Sequence, residues 1–191
     1  MKIVIFTFKD TPQERKDNVD LLVDELSADV FEGGPRTCEN LINMCSEYKG
    51  EDILMIEDDV EICTDFLSKI TAVINAYKNR IINFHYNREM KIDEYDIIDD
   101  LGIYELSCSS YCYNQCVYLP KKYVKRILDK QYMFAKYLAY TDRNAHAAVM
   151  SRIFGNDKFL VVKPSLVKHL SFSSTIGNVE NQTIDFYDDV A

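Results

Sequence analysis

The sequence has no long apolar run. Its uninterrupted hydrophobic stretches last only a few residues, whereas a helix that crosses a bilayer needs about 20. The opening MKIVIFTFKD also lacks the small-residue cleavage site of a secretory leader. The expectation is a cytoplasmic protein without a membrane partner that begins with a β-strand. Glycine and proline are few, at 6 and 4. They form no linker, and no repeat or low-complexity tract divides the chain, which predicts a single domain over 1–191. Positive charge is short as well: 22 Lys and Arg stand against 31 Asp and Glu, a net charge of −9. Wide non-specific binding of nucleic acid needs basic surface, so the overall balance opposes it.

What is present is a globular composition. Apolar residues make up 47% and charged residues 28% of 191 positions, enough for one sizeable core. Six cysteines, at 38, 45, 63, 108, 112 and 116, sit among apolar neighbours rather than in a loop-rich disulfide framework. The even spacing of Cys108, Cys112 and Cys116 invites a metal reading. Zinc sites more often use two-residue spacers, and this segment turns strand-like at its end, where positions four apart do not converge. Buried, reduced thiols are the expectation.

Strand and helix alternate three times in the first 85 residues. Residues 2–8 read as a strand, and "TPQE" at 11–14 offers a capping box with Thr11 as cap and Pro12 at the first helical position. A short strand closed by two glycines follows, then a helix opened by Thr37 with Leu41, Ile42 and Cys45 on one side. Residues 53–57 form the next strand. Thr64 or Asp65 caps an amphipathic helix with Phe66, Ile70, Val73, Ile74 and Tyr77 at helical spacing, and "RIINFHY" is a further strand. Such alternation predicts a largely parallel sheet. From about 88 to 120 the chain is acidic, aromatic and strand-rich, with no clear helix until Lys121.

In parallel α/β sheets the binding crevice lies beyond the carboxyl ends of the strands. "ILMIEDD" places Glu57, Asp58 and Asp59 there. Adjacent carboxylates repel one another and lose solvation on burial, so they call for a positive partner. A hard divalent cation meets that need with one or two carboxylates plus substrate phosphates. Side chains alternate along an extended segment, so the three acids cannot all face one ion. Asp59 is the expected direct ligand, Glu57 acts through water, and Asp58 turns toward the donor's sugar or ribose. Asp59→Asn is then expected to abolish metal-dependent donor binding with little loss of stability. Of the three histidines, His85 and His146 fall in regular elements and read as structural, whereas His169 follows a strand in a Ser-rich loop.

These residues carry a resemblance that covers nearly the whole chain. "ILMIEDDVEI", "NQCVYLPKKYVKRIL", "YTDRNAHAAVMSRIFG" and "KPSLVKHLSFSST", in this order, resemble nucleotide-sugar-dependent glycosyltransferases of the GT-A fold, in their small bacterial and phage forms. The resemblance implies a Rossmann-like three-layer α/β fold with a mostly parallel central sheet. A nucleotide-binding half would span about 1–87 and an irregular acceptor-side half about 88–191. It implies a Mn²⁺ or Mg²⁺ ion held by Glu57, Asp59 and His169 that bridges the phosphates of a nucleotide diphosphate sugar, UDP-sugar first. Thr7, Phe8 and Lys9 would flank the base and ribose, with Arg36, Asn40 and Asp58 as further donor contacts. Asp142, which a bare structural reading makes a helix N-cap, would be the general base that takes the acceptor's proton.

The acceptor implied is a glycan, or a hydroxymethylated base in phage-type DNA. For the latter, Lys121, Lys122, Lys125 and Arg126 offer a phosphate-contacting patch, although such a run is also an ordinary solvated helix face. Two other readings stand beside the transferase. A nucleotide-sugar-binding module without activity would keep the same donor site. A response-regulator receiver domain is suggested by "ILMIEDDVEI", Asp100 and the Lys163-Pro164 pair. It leaves the first strand–helix–strand–helix segment without a role, and Asp100 follows acidic residues rather than a clean apolar run.

Overall fold

A computed structural model describes residues 1–86, 94–108, 114–135, 145–170 and 185–190. The chain opens with β1 (Lys2–Phe8), α1 (Gln13–Leu26), β2 (Asp29–Gly33), α2 (Thr37–Glu47) and β3 (Ile53–Glu57). It continues with β4 (Val60–Ile62), α3 (Phe66–Tyr77), β5 (Ile82–Asn83), β6 (Asp96–Ile98), β7 (Leu101–Ser107) and β8 (Cys116–Leu119). Then come α4 (Lys121–Asp129), a 3-10 segment (Gln131–Phe134), α5 (Ala145–Phe154), β9 (Lys158–Lys163), β10 (Val167–His169) and α6 (Tyr187–Val190). The apolar run of β3 is continuous because both faces of its sheet are covered. Ile53 and Met55 join the cluster formed with α2, α4 and α5, whereas Leu54 and Ile56 join the cluster formed with α1 and α3. Helices, sheet and helices thus make three layers. Cys38, Cys45, Cys63, Cys108 and Cys116 are buried and free. Cys108 and Cys116 belong to opposite faces of the sheet, so they do not converge on one ion. Cys112 lies outside the described residues.

The large sheet runs β2-β1-β3-β8-β5-β9-β7-β6. β1 pairs in parallel with β2 and β3, and β5 with β9, while β8 and β7 run against their neighbours. The sheet is therefore mixed, with six of its eight strands pointing one way. The parallel half is the part that strand–helix alternation predicts. The antiparallel pairs come from the second half, where β6 and β7 are joined by a tight turn with Asp99 at φ 54°.

Two local expectations fail. Thr11 does not cap α1: Pro12 stands at the N-cap position with no side-chain cap bond, and the Thr11 hydroxyl donates to Asp58. Asp65 makes no cap bond at the start of α3, and the Thr64 N–H and hydroxyl both donate to Asp188. A small second sheet, absent from the periodicity, pairs β10 antiparallel to β4 and sets His169 opposite Val60.

A buried arginine between two aspartates

Strands β1, β3 and β5 end at Phe8, Glu57 and Asn83 along one edge of the sheet, and β8 begins there at Cys116. Asp58 and Asp59 follow β3 at this edge and are buried, at 1% and 5% exposure. Their positive partner is Arg15. Its Nη1 donates to Asp58 Oδ1 and its Nη2 to Asp59 Oδ2, each at 2.6 Å. Arg15 arrives there by helix phase. It shares a buried face of α1 with Val19, Leu22 and Leu26, one turn closer to the carboxyl edge of the sheet. That phase is the signal in the sequence that could have found it.

The rest of the cluster fixes the two acids. Asp58 Oδ2 accepts the hydroxyls of Thr7 at 2.6 Å and Thr11 at 3.1 Å. Asn18 holds the turn itself, its Nδ2 donating to the carbonyls of Asp58 at 3.0 Å and Val60 at 2.9 Å. The β4–β10 pairing brings His169 Nε2 to 3.3 Å from Asp59 Oδ2, and the Leu170 N–H donates to the Asp59 carbonyl at 2.7 Å. Burial raises the Asp58 pKa against the pull of Thr7 and Arg15. Burial would raise Asp59 too, but the His169 contact and the Arg15 charge outweigh it and hold that carboxyl below its usual range. The half-buried Glu57 is pushed up to about 8, first by burial and then by the charges of Asp59 and Asp58. His85 is buried against Gln115, 3.2 Å from Nδ1 to Oε1, and is pushed down to about 4, chiefly by burial. One guanidinium therefore bridges both aspartates.

The residues expected from the sequence do not all meet. Asp59 meets His169, and Asp58 meets Thr7, so these four assemble as one cluster. The expected division of labour changes: Asp58 faces Thr7, Thr11 and Arg15 within the protein. Phe8 and Lys9 lie at the same edge, Phe8 edge-on to Phe6 and Lys9 exposed with its N–H on the Gly33 carbonyl. Arg36 and Asn40 belong to the β2–α2 turn. Arg36 is exposed and pairs with Glu39 at 3.5 Å. Asn40 is buried, its amide accepting from the Gly34 N–H and donating to the Gly34 carbonyl. Asp142 lies outside the described residues. Lys121, Lys122, Lys125 and Arg126 sit apart from the acids. The register Ile53↔Leu119 puts the start of α4 at the opposite edge of the sheet, where the Lys121 N–H donates to Asp52. Lys125 and Arg126 there pair with Asp129 and Asp157.

The receiver reading loses its geometry. Asp100 lies in the β6–β7 turn, four strand spacings of about 4.8 Å from β3, roughly 19 Å in all. Its carboxylate accepts the Tyr187 hydroxyl instead. A phosphoacceptor must stand next to the acids that hold its metal.

No family model matches the chain, and no curated protein matches it. Among solved structures it is similar to that titled "Crystal Structure of A197 from STIV", with a TM-score of 0.54 and 14% sequence identity. The likeness covers 91% of this chain and 87% of that chain. At that identity it is a likeness of fold: a three-layer α/β architecture shared along nearly the whole length.

Proposed function

We propose that the chain is a metal-dependent glycosyltransferase that moves a sugar from a nucleoside diphosphate donor, a UDP-sugar first, onto an acceptor hydroxyl. The observation that carries the reading is Asp59. Its Oδ1 is buried and makes no hydrogen bond among the described residues, while Oδ2 faces both Arg15 and His169. A buried carboxylate oxygen left unmatched beside an imidazole, at the carboxyl edge of a parallel half-sheet, suits a cation that takes its remaining ligands from phosphates. No group of three or more His, Cys, Asp or Glu stands ready to enclose a metal among the described residues. The ligands proposed for the ion are Asp59 and His169, with Glu57 acting through water, and donor phosphates would supply the rest. Such a Mn²⁺ or Mg²⁺ ion would stabilise the charge that develops on the departing nucleoside diphosphate. Phe8 and Lys9, with the buried Thr7 behind them, are the end of β1 proposed to flank base and ribose, and Asp142 is the base proposed for the acceptor proton.

A glycan is the acceptor proposed. The DNA reading would require the basic cluster of α4 to stand beside the donor site, and it occupies the other edge of the sheet. The test is thermal shift with UDP, GDP and CMP conjugates, with and without manganese. Stabilisation by a UDP-sugar that depends on manganese is expected, and no shift with any conjugate removes the proposal. A shift without transfer or donor hydrolysis would identify a binding module that lacks activity.

A further inference from the structure

We propose that Arg15 is an exchangeable internal counterion: a divalent cation enters the Asp58–Asp59 pair at Asp59 by taking the place of the guanidinium, and the first turn of α1 moves with it. This rests on the reading of Asp59 as a metal ligand. Both Nη atoms lie 2.6 Å from the two carboxylates, in the space between them. A metal ion held by Asp59 Oδ2 and His169 would meet that positive charge at contact distance, so the two cations compete for one place.

Two further observations favour exchange over a permanent strut. Buried ion pairs that serve only as structure satisfy their remaining donors and acceptors. Here Arg15 Nε and Asp59 Oδ1 are both buried and both lack a hydrogen-bond partner among the described residues. The pair is closed on two contacts and unmatched on the other two. The start of α1 also depends on it. No side chain caps the helix, and the Thr11 hydroxyl just before its Pro12 N-cap donates to Asp58. The first turn is therefore tied to the sheet through the same carboxylates that a metal would claim. It follows directly on Thr7, Phe8 and Lys9, so release of Arg15 would reshape the rim assigned to the donor.

The test compares manganese binding by wild type and Arg15→Met, which keeps the aliphatic stem and removes the charge, using electron paramagnetic resonance without nucleotide. Arg15→Met should bind manganese at least tenfold more tightly, melt at a lower temperature without metal, and gain more from adding it. Equal or weaker binding by folded Arg15→Met overturns the exchange. If that variant does not fold, hydrogen exchange on the wild type decides. Manganese with UDP should speed exchange of the amides at 13–18 and leave β1 and β3 unchanged; an unaltered or slower first turn overturns the proposal. If wild type binds manganese and Arg15→Met binds it no better, only the exchange falls. If neither binds manganese, the metal dependence falls with it, whereas stabilisation by a UDP-sugar alone would keep the transferase reading.

Discussion

Asp58 and Asp59 are adjacent in sequence and unequal in what they hold. Asp58 anchors Arg15, Thr7 and Thr11 at once. Asp58→Ala should cost on the order of 3–5 kcal/mol in urea unfolding, since it strips a buried guanidinium of one partner and leaves two hydroxyls unmatched. Asp59→Asn keeps the shape and one acceptor, so a loss of about 1–3 kcal/mol is expected. A fully stable Asp59→Asn protein would mean that the Arg15 contact contributes nothing. The sequence alone suggests a near-neutral change, because three acids are visible there and their counterion is not. Arg15 stands 43 positions before Asp58 and is marked only by its phase with Val19, Leu22 and Leu26. His85 supplies a separate test. Its pKa falls from 6.5 to about 4 on folding, so between those values the unfolded chain holds a proton that the folded chain does not. Stability should therefore drop as pH falls from 6.5 to 4, by roughly 3 kcal/mol from this group. His85→Gln should flatten that part of the stability–pH profile, and an unchanged slope would show that the fall has another source.

At the scale of elements, the β2–α2 turn shows how tightly the carboxyl edge is built. A Cβ on Gly33 would stand 2.4 Å from the side-chain amide of Asn40, which is bonded to Gly34. Gly33→Ala should lower stability by about 1–3 kcal/mol by displacing that amide. Asn40→Ala should lose a similar amount, and the double variant should fall well short of the sum, because both changes break the same clamp. Additive losses would show that Gly33 matters for another reason. β1, α1, β2, α2, β3 and α3 are legible because each is long enough to show its own period. β4 and β10 are not, at three residues each with partners at the far end of the chain. "TPQE" satisfies the capping pattern, yet Pro12 takes the N-cap position and leaves Thr11 one residue outside the helix, where its hydroxyl donates to the buried Asp58 carboxylate.

Across the whole molecule, the mixed sheet separates what the linear order brings together. Lys121 and Lys122 precede Asp142 in the half that the resemblance gives to the acceptor, but their strand, β8, runs antiparallel to β3 and delivers them to the opposite edge. Replacing both with Gln should leave manganese-dependent stabilisation by a UDP-sugar unchanged within error. A lost shift would place that patch in the donor site after all. Chain order here disclosed which residue types matter, and strand direction decided which of them meet.

The β4–β10 pair also fixes an order of events during synthesis. Thr7, Thr11, Arg15, Asp58 and Asp59 lie in or beside β1, α1 and β3, whereas His169 closes β10, far downstream. The guanidinium can reach its carboxylates while the second half of the sheet is still being made, and the imidazole cannot. The nascent chain thus carries a neutralising cation for its acids before β10 exists, and the imidazole reaches Asp59 only after Val167–His169 has been made.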